Sequence, residues 1–448
     1  MPTITAIHAR EVLDSRGQPT VEVEVLCDSG ARGRAIVPSG ASTGRHEAVE
    51  LRDGDPARFD GRGVLRAIAN VRDVLAPQIV GHDVTDQAGI DRRMIDLDGT
   101  PDKFRLGANA ILGVSLGCAH AAAAARGVPL FEHLAALLSS HSARARSPLT
   151  AHRSPLTLPL PMANMISGGL HAGGNLDFQD FLIMPVGAAN YREALEWIVA
   201  VYRSLGRELA AAGYDSVLVG DEGGYGPRLQ SNREAVGLVC RAIERARLTP
   251  GRDVAIALDV ASSHFFHDGR YCISGAARAE FAAAEFVDLL AGWVDSFPIV
   301  SIEDGCAEDD WDGWRLLTER LGGRVQLVGD DLYVTNPARL ARGVSGGVAN
   351  AILIKLNQIG TLTETLEVIA QAHAAGYRTV ISSRSGETED VTIAHLAVGT
   401  GAGQIKIGSV ARSERLAKYN ELLRIEEHFG SRAAFATPIS KISARQSL

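Results

Sequence analysis

The chain reads as an α/β protein in which an N-terminal α+β domain precedes a C-terminal (β/α)8-type barrel. Three observations predict this. Short β-branched runs, each ending in a polar residue and a turn, recur through the C-terminal part. Helical patterns lie between them, so strand and helix alternate as they do around a parallel sheet. A proline-rich tract without apolar period separates this part from a first section of different texture.

In chain order, Val21, Val23 and Val25 alternate with Glu22 and Glu24, the period of a half-buried strand. Residues 64–80 and 109–126 read as helices, the second closed by Gly127 with Pro129 just beyond. Residues 139–161 hold Ser, His, Arg, Thr and four prolines, which places the domain boundary there. The expected division is a capping domain over 1–140, a linker over 141–158 and a barrel over 159–448. The barrel strands are read at 254–259, 299–304, 325–330, 351–355, 379–384 and 404–406. Leu362, Leu366, Ile369 and His373 share one face of a helix that stops at Gly376. Near-continuous apolar strands mean that both sheet faces are covered, and in a closed barrel the chemistry sits at the strands' carboxyl ends.

Bulk properties narrow the function. With 45 basic and 53 acidic residues the net charge is -8, and no basic tail suggests nucleic acid. The first residues lack the pattern of a secretion signal. The richest apolar stretch, 108–125, is interrupted by Asn109, Ser115 and His120, so no membrane span is expected. Five scattered cysteines without a CxxC predict reduced thiols, a cytoplasmic protein and no zinc.

Asp259, Glu303 and Asp330 each close a hydrophobic strand. Any one alone would more often cap a helix or join a salt bridge. Three at one barrel mouth repel unless a cation lies between them, and an all-oxygen set favours Mg²⁺. Lys355 ends the next strand. Desolvation, a divalent cation and neighbouring Lys406 would lower its pKa and make it a base for a weakly acidic C–H, although a lone strand-end lysine usually snorkels to solvent. Arg384 and Ser385, at a glycine turn, suit phosphate. Glycine-rich loops at 40–44 and 168–174 are candidate lids. Glu222, among glycines, is a general acid or only a turn residue. There is no Walker A motif and no GxGxxG after a strand, which argues against a nucleotide.

Together these segments resemble the enolase (phosphopyruvate hydratase) family almost end to end. The resemblance is carried by Asp14-Ser15-Arg16-Gly17, Ser39-Gly40-Ala41-Ser42-Thr43-Gly44, Gly220-Asp221-Glu222-Gly223-Gly224, Ser301-Ile302-Glu303-Asp304 and Gly329-Asp330-Asp331-Leu332. Lys355-Leu356-Asn357-Gln358, Arg384-Ser385-Gly386-Glu387 and Ala411-Arg412-Ser413-Glu414-Arg415 complete it. It implies a barrel with an irregular first turn of strands, a homodimer or higher homo-oligomer, and a small phosphorylated hydroxy acid as substrate. It implies two Mg²⁺ per site. The first would be held by Asp259, Glu303 and Asp330, and the second, substrate-assisted, by phosphate and the Ser42 loop. Lys355 would be the C2 base, Lys406 the carboxylate ligand, Arg384 and Ser385 the phosphate ligands, and Glu222 the acid, with His171 nearby.

Two positions depart from the family pattern. Asp180 stands where the family has Glu, one methylene shorter in the partner of Glu222. Ser383 stands where the family has His, beside the phosphate and the leaving hydroxyl. Three readings follow. One is dehydration of 2-phosphoglycerate to phosphoenolpyruvate, as in glycolysis. Another is a specialised paralogue acting on a modified 2-phosphoglycerate, for example forming carboxyphosphonoenolpyruvate in phosphonate biosynthesis. The last is a non-catalytic enolase-fold protein, which predicts random loss of site residues.

Overall fold

A computed structural model describes residues 1–41, 44–144, 157–274 and 279–436. The N-terminal domain opens with an antiparallel sheet of β1 (Ile4–Leu13), β2 (Pro19–Cys27) and β3 (Arg32–Ile36), in that order. Val21, Val23 and Val25 are fully buried against the helix Ala108–Arg126, while Glu24 reaches Arg10 at 3.2 Å. Small residues let strand and helix approach closely. A Cβ on Gly33 would lie 2.1 Å from the Gly117 carbonyl oxygen, and one on Gly113 2.6 Å from Val23 Cγ2.

That helix corrects one expectation. By length and composition it could cross a membrane, its polar interruptions notwithstanding; here it is the core of its domain, with 83% of its most apolar window buried. Gly127 ends it at φ 65, the left-handed conformation expected of a C-cap. The helical stretch read over 64–80 runs from Leu65 to Ile79 with a π turn at Val71–Leu75.

The second part is a closed eight-stranded barrel. Its strands are β4 (Leu160–Ser167), β5 (Asp180–Met184), β6 (Ala255–Asp259), β7 (Ile299–Glu303), β8 (Gln326–Gly329), β9 (Ala351–Ile354), β10 (Arg378–Ser382) and β11 (Gly403–Gly408). They close in the order β7-β8-β9-β10-β11-β4-β5-β6. The six strands read from apolar runs are all present. The sheet is not uniformly parallel, because β5 runs antiparallel to both β4 and β6. No crossover helix separates β4 from β5, so the chain turns straight back. Two helices, Tyr191–Ala211 and Asn232–Arg245, then join β5 to β6.

The expected linker is described only at its two edges. The helix Leu130–Arg144 continues past residue 140, with the Ser139 and Ser140 hydroxyls donating to the Ala135 and Leu137 carbonyls at 2.9 and 2.7 Å. Thr157–Leu158 already forms a short strand, and Pro161 sits in β4 opposite Ile405. The rest of the linker, 145–156, lies outside the described residues.

The N-terminal domain meets the carboxyl ends of the barrel strands. Ser39 and Gly386 exchange two backbone hydrogen bonds of 2.8 Å, and Ser15 N–H donates to the Glu387 carbonyl at 2.7 Å. Farther out, Asp91 Oδ2 accepts from the Thr363 hydroxyl and N–H at 2.6 and 2.9 Å.

Candidate active site

Barrel register brings the predicted residues to one rim. Asp259 and Glu303 are the last residues of β6 and β7 and stand opposite each other. Asp330, Lys355 and Ser383 are the first residues past β8, β9 and β10. Lys406, in β11, pairs with Ser382. His171, Glu222, Asp259, Lys355, Ser383, Arg384, Ser385 and Lys406 line a single cavity with Gln179 and Ser382. Ser42 lies outside the described residues.

The acids and lysines form one buried charge cluster. Lys406 Nζ donates to Asp259 Oδ2 at 2.7 Å and to Glu303 Oε1 at 2.8 Å. Lys355 Nζ donates to Asp330 Oδ2 at 2.5 Å, and Gln358 Nε2 donates to the other oxygen of Asp330 at 2.8 Å. Asp330 with Lys355 and the Asp259–Lys406–Glu303 group are thus two separately bonded sets. Asp330 itself has ligand oxygens within 4.8 Å of those of Asp304 and Asp331. Asp304 accepts the N–H groups of Asp330 and Asp331 at 3.0 and 2.8 Å and so shapes that loop.

Electrostatics follow from burial and these pairs. Burial, then Asp259, push the Glu303 carboxyl well above its usual range, and its Oε2 has no partner among the described residues. For Asp330, burial is outweighed by Lys355, which holds its carboxyl below its usual value. The expectation of a lowered Lys355 pKa included a divalent cation; with the side chains alone the direction is upward. Burial does disfavour the ammonium, but Asp330 beside it outweighs burial and holds Lys355 above its ordinary value; Lys406 is held well above by Asp259 and Glu303. The lysines here supply the counter-charge that a cation could supply. The predicted set Asp259, Glu303 and Asp330 is buried and all-oxygen, with Glu303 Oε2 unsatisfied, so its chemistry fits a hard cation; the carboxylates that group within 4.8 Å of Asp330 among the described residues are, however, Asp304 and Asp331.

On the opposite wall, His171 Nδ1 lies 2.9 Å from Asp180 Oδ2, and the Asn164 amide donates to the other oxygen of Asp180. Ligand atoms of His171, Asp180 and Glu222 all fall within 4.8 Å of one another, so the shorter Asp180 lies close to Glu222, its expected partner. Burial pushes Asp180 up to about 6, with His171 opposing and Glu222 adding to the rise. His171 is held above its ordinary value because Asp180, Glu222 and Asp259 outweigh its burial. Glu222 is held lower, since His171, Arg415 and Lys406 overcome its burial, and its Oε2 is buried without a partner among the described residues. Gly223 at φ 84 makes this turn, and a Cβ there would lie 2.6 Å from the Ala411 carbonyl oxygen.

The anion side is assembled across the domain junction. Arg384 donates to Glu47 Oε2 and to Asn357 Oδ1, both at 2.9 Å. The Ser385 hydroxyl accepts from Ala41 N–H at 2.6 Å and from Arg16 at 3.3 Å. The Ser383 hydroxyl donates to the Ile407 carbonyl at 2.8 Å and accepts from Arg415 at 3.0 Å, so it is turned into the wall.

Residues 4–134 match the family model described as enolase, N-terminal domain, and residues 155–443 match enolase, C-terminal TIM barrel domain. The chain belongs to the enolase family. Several neighbours in this enolase-fold site were given no role from sequence: Glu47, Asn164, Gln179, Asp304 and Arg415. Arg415, Asp304 and Gln179 carried a signal, as members of segments singled out for other residues. The others are identified by contacts, such as Glu47 with Arg384, 337 positions apart.

Proposed function

We propose that the chain is a Mg²⁺-dependent enolase-type hydro-lyase that converts 2-phosphoglycerate to phosphoenolpyruvate. The single observation that carries this is the cavity in which Lys355, Lys406, Arg384, Ser385, Glu222 and His171 face one another over the acidic rim. Mg²⁺, held by Asp259, Glu303 and Asp330, with a second ion taken up beside phosphate and the Ser42 loop, would supply positive charge against the substrate's carboxylate.

The chain's own residues divide the rest of the work. Arg384 and Ser385 bind phosphate, and Lys406 faces the carboxylate. Lys355 parts from Asp330, which otherwise holds its ammonium above the ordinary value, gives up its proton to solvent and, as a neutral amine, takes the C2 proton, leaving the electron pair delocalised into the carboxylate. That pair then forms the C2–C3 double bond as the C3 hydroxyl leaves as water, protonated through Glu222, which is held below its ordinary value and so first takes its proton from the adjacent His171, held above its own. Asp180 orients His171 at Glu222's side. The acid group is buried, so bulk water does not compete for its proton. We place the protein in the cytoplasm as a homodimer; its five free cysteines are compatible with reduced thiols.

A second reading is favoured by a specific observation. Ser383 lines the cavity beside Arg384, yet its hydroxyl is spent on Ile407 and Arg415. That wall therefore presents a smaller side chain than the histidine of the family pattern, the kind of change that a paralogue acting on a modified 2-phosphoglycerate would use.

Purified protein with Mg²⁺ and 2-phosphoglycerate tests both. Turnover typical of enolases supports the first reading and refutes the specialised one. Negligible turnover that recovers in a Ser383→His, Asp180→Glu double variant supports the second. No turnover and no exchange of the C2 proton with solvent would overturn both in favour of a non-catalytic protein.

A further inference from the structure

The helix Ser413–Phe429 directs two cations, three residues apart and hence on one face, at the turn that follows β10. Their side chains are 0% and 1% exposed. Arg415 Nη1 donates to the Arg384 carbonyl at 2.7 Å, to the Ile407 carbonyl at 3.0 Å and to the Ser383 hydroxyl at 3.0 Å. Its Nη2 donates to the Ser385 carbonyl at 2.7 Å and to the Asp221 carbonyl at 3.3 Å. Lys418 Nζ donates to the Thr388 carbonyl at 2.5 Å and pairs with Glu387 at 2.8 Å, and Glu387 Oε1 accepts the Arg384 N–H at 3.0 Å. One guanidinium thus touches three consecutive residues of the anion turn, the end of β11 and the turn that carries Glu222.

The placement is unfavourable for the helix itself. Arg415 sits in the helix's first turn, where the macrodipole disfavours a cation. Among the described residues its nearest carboxylate is Glu414, 3.7 Å from Nε, so carbonyl dipoles rather than an ion pair compensate its burial. Lysine could keep the charge but not span these oxygens, which lie on both sides of a planar fork.

We infer that Arg415 is the positioning residue of the anion-binding turn, fixing Ser383, Arg384 and Ser385 in the register that presents Arg384 and Ser385 to phosphate, with the Ser383 hydroxyl as one of its acceptors. This rests on the phosphate role proposed for Arg384 and Ser385. It also gives Ser383 a task of its own. A side chain there that cannot accept from Arg415 loosens the turn, so selectivity at position 383 is coupled to position 415.

The test uses the full chain as wild type, R415K, S383A and the double variant. Each is titrated calorimetrically with inorganic phosphate in the presence of Mg²⁺, and separately with Mg²⁺ alone, after thermal melts establish folding. R415K is expected to weaken phosphate binding by about tenfold or more, with Mg²⁺ affinity within about twofold of wild type. S383A is expected to weaken phosphate binding a few-fold in the wild-type background and hardly at all in R415K, the signature of a shared interaction. Unchanged phosphate affinity in folded R415K, equal S383A effects in both backgrounds, or parallel losses of Mg²⁺ and phosphate would each overturn the inference; so would a wild type that takes up no phosphate. Should R415K fail to fold, amide exchange in S383A decides. Faster exchange at Arg384 and Gly386 with β9 unchanged supports the inference, and unchanged exchange at the turn refutes it. Because phosphate is titrated without turnover, coupled phosphate binding in a chain that leaves 2-phosphoglycerate intact refutes the dehydratase reading and upholds this one.

Discussion

Replacing Lys355 by methionine separates its two roles, as counter-charge to Asp330 and as base. The pair is 2.5 Å long, with side chains 11% and 8% exposed. Removing one partner of a buried ion pair costs about 3–5 kcal/mol. Gln358 still donates to Asp330, and Lys406 and Arg384 still act on it from farther away, which puts the loss near the lower end, about 3 kcal/mol. The pH window is set by both partners. Lys355 is held above its ordinary 10.5, so its contribution is full below that value and lost as pH rises through the raised one. Asp330 is held below its ordinary 3.8, so its contribution is full above that value and lost as pH falls through the lowered one. At pH 7.5 the whole effect is present. Urea unfolding of both proteins in EDTA should show the gap. Saturating Mg²⁺ should shrink it to about 1 kcal/mol or less, because a cation on Asp330 replaces the missing ammonium. Exchange of the C2 proton of 2-phosphoglycerate should fall by at least about 10²-fold. An equal gap with and without Mg²⁺ would mean that the cation does not use Asp330. Retained exchange would mean that Lys355 is not the base.

Lys406→Met should destabilise the metal-free protein more than Lys355→Met, by about 4–5 kcal/mol, because Lys406 bridges two buried carboxylates; a smaller loss in matched urea melts would contradict the bridge. Asp180→Asn removes a carboxylate that raises His171, so the imidazole midpoint should move down in an NMR titration, and a midpoint that stays put would show the two to be uncoupled. Gly33→Ala places a methyl 2.1 Å from the Gly117 carbonyl oxygen and 2.2 Å from the Ala121 nitrogen, both backbone atoms. The strand or helix must shift, at a loss of about 3 kcal/mol. A folded variant within about 1 kcal/mol of wild type would mean that the two elements are not so closely packed.

Much of the site was legible because its signals are local. A short, mostly apolar run ending in a charged residue marks both a barrel strand and its rim end, so Asp259, Glu303, Asp330 and Lys355 could be found without coordinates, while the site role of Lys406 came from the family resemblance. Period-two alternation likewise exposed Val21, Val23 and Val25. Strands β4 and β5 were hidden for local reasons as well. β4 carries Pro161 and Asn164 and follows a polar tract, and β5 lacks the crossover helix that marks its neighbours.

What the amino-acid sequence by itself determined is the list of chemical groups and the strand ends that carry them, since both depend on side-chain type and on periods of a few residues. Which groups share a charge or a hydrogen bond was decided only by tertiary structure. Glu47 meets Arg384, Arg415 meets Ser383, and Lys355 pairs with Asp330 across 25 positions. Coulomb interaction and desolvation act through space in a buried, weakly screened cluster, so the protonation of a lysine follows from what folding places beside it rather than from its neighbours along the chain.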